Sequence, residues 1–151
     1  MNSLILFSIF IGLICVTVAD LDTARKERVA AAEKCRDELN VSKADYEILY
    51  RKELPANEIQ SCFLECICNK LGLFKDGKLD YSGFIKSIKV RFGEDQKELS
   101  KAEQLYSKCA PEVESASTGS EKCGAAKAMR GCVNNFSRDK HDHRDNSGSN
   151  F

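Results

Sequence analysis

The chain has 151 residues, with 23 basic and 23 acidic side chains, so its formal net charge is zero. That length suits one domain, and the balanced charge excludes both the basic stripe that nucleic-acid binding needs and the polybasic patch of an electrostatic membrane binder. Eight cysteines in so short a chain point to disulfides and an oxidising compartment.

Leu4 to Val18 form an apolar run closed by Thr17-Val18-Ala19, and Asp20 opens a charged sequence. The run is shorter than the roughly 20 apolar residues of a bilayer span. It reads as a secretory signal over 1–19, cleaved after Ala19, although no Lys or Arg precedes it. No second apolar stretch follows, so no stable membrane insertion is expected. Cys15 belongs to the signal, which leaves Cys35, Cys62, Cys66, Cys68, Cys109, Cys123 and Cys132, an odd count.

Six helices are predicted over 20–136. The first spans Asp22 to Leu39, with Asp22 or Thr23 as cap and Ala24, Ala30, Ala31 and Ala32 as strong formers. Ser42 caps a second, Lys43 to about Glu53, with Tyr46, Leu49 and Tyr50 on one face and Pro55 beyond its end. Asn57 caps a third, Glu58 to about Leu71, apolar nearly all round and therefore expected in the middle of the domain; Gly72 fits its end. Lys75-Asp76-Gly77-Lys78 is a turn. The fourth covers about Tyr81 to Arg91, where Tyr81, Phe84, Ile85, Ile88 and Phe92 recur at spacings of three and four. The fifth runs from Asp95 to about Cys109, before Pro111, and residues 114–119 read as a polar linker. Ser120 caps the sixth, about Glu121 to Asn134. From Ser137 to Phe151 the chain reads as a polar, disordered tail. No strand alternation is evident.

The spacing of the cysteines carries further information. Cys62 and Cys66, one turn apart on the third helix, lean the same way along its axis and suit bonds to two different neighbours. Cys68 lies about 200° round from Cys66 and is the natural odd one out: a free thiol, an intermolecular bridge or, the favoured reading, a small buried hydrophobe. Spacing alone leaves the connectivity open, since six cysteines allow 15 pairings.

With Cys68 set aside, the intervening lengths are 26, 3, 42, 13 and 8 residues. This order resembles the six-cysteine signature of the insect odorant-binding proteins, the pheromone-binding and general odorant-binding family. The segment from Cys62 to Asp80 resembles that family's third helix and following turn. The resemblance covers about Asp22 to Phe136. It implies the bridges Cys35–Cys66, Cys62–Cys123 and Cys109–Cys132, and an all-α, six-helix, disulfide-stapled array enclosing an internal hydrophobic cavity. It also implies a secreted carrier of a small hydrophobic molecule, odorant or pheromone-like, delivered to an olfactory receptor. Candidate ligand-binding residues are Phe84, Ile85, Ile88, Leu105, Met129, Val133 and Phe136. Leu64, Ile67, Leu71, Leu73 and Phe74 are candidates for the floor or a side, and Tyr46, Tyr50, Tyr81 or Tyr106 for a hydrogen bond to the ligand.

Other chemistries find little support. The histidines, His141 and His143, both fall in the tail, and no Gly-x-Ser-x-Gly is present. No nucleophile–base–orienter set can therefore be assembled, and no enzyme is expected. A calcium loop starting at Asp76 fails at its sixth position, Tyr81, and its twelfth, Ser87. No metal and no cofactor are expected. Asn40-Val41-Ser42 and Asn135-Phe136-Ser137 fit the glycosylation sequon. Two alternatives remain: a non-sensory carrier on the same fold, in venom, saliva or reproductive fluid, and a secreted helical signalling protein with a solid core.

Overall fold

In the computed structural model, residues 2–146 are described, with side chains described for 21–138. Six α-helices occur among the described residues: α1 (Asn2–Leu39), α2 (Lys43–Tyr46), α3 (Glu58–Lys70), α4 (Tyr81–Phe92), α5 (Gln96–Ser117) and α6 (Gly124–Asn146). A two-stranded hairpin, β1 (Phe74–Lys75) and β2 (Lys78–Leu79), joins α3 to α4. The leader expected over 1–19 and most of the tail expected from 137 lie outside the residues whose side chains are described. Among the described residues no helix is long and apolar enough to cross a membrane.

Local chemistry accounts for most boundaries. Asn40, in the left-handed region at φ 52°, ends α1. The N–H of the next residue, Val41, reaches back to the Arg36 carbonyl at 2.9 Å while its side chain is buried, a hydrogen-bonded stop with its own apolar contact. Ser42, Asn57, Asp80 and Asp95 cap α2, α3, α4 and α5, each side-chain oxygen accepting from backbone N–H groups of the first turn. Asp76 and Gly77, at φ 51° and 75°, form the left-handed pair that a tight hairpin turn requires. Phe74 pairs with Leu79, both buried, and Lys75 with Lys78, both exposed.

Four helices differ from the sequence reading. Helix α1 begins at Asn2, so Asp22 and Thr23 lie within it rather than at its cap. After Tyr46 the second helix tightens into a 3₁₀ turn over Glu47–Tyr50 and stops at Arg51, well short of Glu53. The tighter winding turns Ile48 into the core and leaves Tyr50 exposed. Helix α5 continues through Pro111 to Ser117, so residues 114–117 are helical rather than linker. Pro111 forfeits one hydrogen bond, to the Ser107 carbonyl, but Val113, one turn beyond Cys109, is completely buried, and that burial favours carrying the helix onward. The Ser117 and Thr118 hydroxyls donate to the Glu114 carbonyl, and Thr118 also to that of Ser115, which satisfies the frayed end. Helix α6 starts at Gly124 rather than near Ser120, because Cys123, tied to Cys62, holds a left-handed backbone at φ 57°. It also continues past Asn134, to Asn146.

The helices enclose two apolar cores with α3 between them. One gathers Ala31, Ala32 and Cys35 of α1, Val41, Ile48, and Phe63 and Ile67 of α3. The other gathers Phe74 and Leu79 of the hairpin, Phe84 of α4, Ala102 and Val113 of α5, and Ala125 and Ala126 of α6. Leu64 packs against both. Disulfides join Cys35 to Cys66, Cys62 to Cys123 and Cys109 to Cys132, the pairing that the family resemblance implies. They tie α3 to α1, α3 to the start of α6, and α5 to α6.

Candidate functional site

The cavity of interest sits off-centre. It is a groove of about 340 Å³ between α1 and α4, with the residues that follow α3 also in its lining, and it is partly open to solvent. Half-buried Ala24, Leu71, Leu73, Ile88 and Val90 give it an apolar floor. Exposed Glu27, Arg28, Lys86 and Arg91 stand at its rim.

The junction of α3 and α4 beside the groove depends on a close backbone approach. Gly83, in the first turn of α4, lies against Gly72; a Cβ at position 83 would overlap the Gly72 carbonyl oxygen. The Asp80 carboxylate accepts the Gly83 N–H at 2.7 Å and fixes the same turn. Glycine at 83 therefore lets α4 seat directly on the end of α3, which brings Ile88 and Val90 opposite Leu71 and Leu73.

The candidate wall residues fall into three groups. Ile88 lines the groove. Phe84, Ile85, Leu105 and Met129 belong with Ile88 to the second core, where the small side chains of Ala102, Ala125 and Ala126 let α5 and α6 approach closely. Ile85 also borders a shallow surface depression with Tyr81 and Lys86. Val133 and Phe136 lie farther along α6, where Phe136 sits beneath the Lys108 ammonium, 5.9 Å from the ring centre. Of the floor candidates, Leu71 and Leu73 line the groove, whereas Leu64, Ile67 and Phe74 pack in the two cores.

The tyrosines are engaged elsewhere. Tyr106 donates to the Leu79 carbonyl at 3.2 Å, Tyr81 donates to Glu103 at 3.3 Å, Tyr46 packs on Phe63, and Tyr50 is exposed. The polar groups at the groove are instead charged rim residues, which helical phasing of apolar residues passes over. Ala24, Glu27 and Arg28 recur at spacings of three and one on α1, a pattern visible in sequence but indistinguishable there from an ordinary wet face.

No metal centre emerges among the described residues. Cys35, Glu38 and Cys66 lie close together, but the two sulfurs are bonded to each other, and Glu38 accepts from Lys70 at 3.0 Å. Cys68 is unbridged. Its thiol is turned into the second core, and burial, aided by nearby Glu65, pushes it up to about 12; it stays protonated at neutral pH and is a poor nucleophile. Asp45 has a structural role: its carboxylate accepts from Asn57, Ser42 and Gln60, which holds it below the usual carboxylate range and joins α2 to the cap of α3.

At the far side of the molecule, Arg130 of α6 donates to the Ile48 carbonyl at 2.9 Å and to the Arg51 carbonyl. Asn134 donates to that of Lys52 at 2.7 Å. These bonds dock residues 48–52 onto α6, and the Ile48 carbonyl accepts the Arg51 N–H as well, at 3.3 Å.

Comparison with known proteins places this architecture. No match emerges among curated proteins. The solved odorant-binding protein OBP28a of Drosophila melanogaster superposes with a TM-score of 0.60 at 20% identity, over 80% of this chain and 98% of that one. The fatty acid binding protein OBP56a from the oral disk of the blowfly Phormia regina gives 0.61 at 17%, over 78% and 94%. Odorant binding protein 5 of Apis mellifera gives 0.51 at 15%, over 78% and 89%. The PBP/GOBP family profile matches residues 19–135. With the three bridges, the helix order and a family match over most of its length, the chain belongs to the PBP/GOBP family.

Proposed function

We propose that the protein is a secreted carrier that takes a sparingly soluble small molecule out of water, holds its apolar part in the groove between α1 and α4, and releases it to a receptor. The observation that carries this reading is the groove itself: an apolar floor of small-molecule size, built on a disulfide-stapled helical frame of a binding-protein family. Its volume is at the lower end of the roughly 300–1,000 Å³ of ligand pockets. The apolar run from Leu4 to Val18, read as a secretory leader, and the three disulfides support secretion. The structural relative described as a fatty acid binding protein supports the broader alternative of a non-sensory lipid carrier on the same frame.

The magnitudes are adequate. Burying about ten methylenes at about 0.8 kcal/mol each yields about 8 kcal/mol before association costs. Micromolar binding needs about 8 kcal/mol net. Because the groove is partly open to solvent, part of a bound chain stays wet, and affinities in the micromolar range rather than below it are expected.

A displacement assay tests the proposal. The disulfide-bonded protein should enhance the fluorescence of an uncharged naphthylamine probe, and medium-chain aliphatic competitors should reverse the enhancement at micromolar concentration. Absence of any probe uptake would favour the signalling alternative, which works through its surface with a solid core.

A further inference from the structure

Resting on the carrier reading, we propose that the groove selects amphiphiles with an anionic head, a carboxylate above all, over neutral molecules of the same chain length. The groove is chemically two-sided. Leu71, Leu73 and Ile88 make an apolar floor that can take a hydrocarbon chain but offers no partner to a polar end. At the exposed rim stand three cations, Arg28 from α1 and Lys86 and Arg91 from α4, against the single carboxylate of Glu27.

The excess at the rim is local, because the whole chain is charge-neutral. Many other basic side chains are paired in ion contacts, among them Lys26 with Asp22, Lys70 with Glu38 and, on α4 itself, Lys89 with Glu94. Arg91 instead lies over the ring of Phe92, 5.2 Å from its centre, so its hydrogen-bond donors keep their capacity for an anion. A chain lying on the floor with its head at the rim would place that head among the three cations. A carboxylate gains hydrogen bonds and Coulomb attraction there; a hydroxyl gains a neutral hydrogen bond at most. An ammonium head meets repulsion from three cations relieved by one anion, so the expected order is acid, then alcohol, then amine.

Probe displacement by dodecanoic acid, dodecan-1-ol and dodecylamine at neutral pH tests this. In the native protein at low salt the acid should bind at least about fivefold more tightly than the alcohol, the scale of two exposed or half-exposed charge pairs. That advantage should shrink as salt is raised, since exposed charges are screened within about 10 Å at 0.1 M. In the Arg28→Gln, Lys86→Gln, Arg91→Gln variant, with helical circular dichroism checked, the acid's advantage should vanish; Glu27→Gln should enlarge it. Equal binding of acid and alcohol by the native protein, or an advantage that survives the triple substitution, overturns the head-group selection and leaves the carrier reading standing. Failure of the probe and of every competitor to bind overturns both.

Discussion

Single residues show how the same chemistry can be inert or structural according to its surroundings. Cys68 is two positions from a bridged cysteine, yet its thiol lies against the second core and is held at about 12, far above the ordinary thiol range. It follows that an alkylating reagent at pH 8 leaves Cys68 unlabelled in the native protein and labels it fully in denaturant with the disulfides intact. Mass spectrometry reads the difference, and rapid native labelling would contradict the buried placement. Its position opposite Cys66 was legible from helical geometry. What surrounds it was not, since the second core is gathered from the hairpin, α4, α5 and α6, and a buried carboxylate oxygen of Glu65, which finds no hydrogen-bond partner among the described residues, lies on the same helix.

At the scale of elements, caps and apolar periodicity reproduced the helices, while the ends of three of them depended on contacts distant in sequence. Pro111 looked like a terminator because its local cost is certain and its compensation, the burial of Val113 against α6 and the hairpin, is remote. The join between α3 and α4 is the element on which the groove depends. Ala at position 83 would bring a methyl group onto the Gly72 carbonyl and force the two helices apart. Gly83→Ala is therefore expected to destabilise the fold by about 1–3 kcal/mol, the usual scale for overpacking, despite alanine's better helix propensity. Thermal unfolding measures this, and an unchanged or raised melting temperature would show that α4 can move away freely. The same variant should weaken probe binding, because the floor residues of α4 move with the helix.

For the whole molecule, the arrangement is two cores astride α3, held by bridges that each close a loop of tens of residues. The widest, Cys62–Cys123, spans 61 residues and joins the cores' shared helix to the turn before α6. Replacing both cysteines by serine should cost about 4 kcal/mol in the chain-entropy picture, read as a lower denaturation midpoint. Loss of under about 1 kcal/mol would mean that packing alone sets the start of α6. The Arg130 and Asn134 bonds to the chain after the 3₁₀ turn are a second, non-covalent clasp between the same helix and the other core.

The sequence by itself determined the helical class, the order of the helices, the caps of α2 to α5 and the cysteines that cross-link, since these follow from periodicity, side-chain chemistry and an ordered set of spacings. Leu71, Leu73 and Ile88, which apolar periodicity and the family resemblance offered as floor or wall candidates, line the groove. Only the tertiary structure decided which apolar stripes meet one another and which meet empty space. Phe84, Leu105 and Met129 carry the same helical signal as Ile88, but they pack with the small alanines of α5 and α6, whereas Leu71, Leu73 and Ile88 border the space left between α1 and α4. Helical phase reports that a residue points inward; whether a neighbour arrives to fill the space depends on distances between helices that no local pattern encodes.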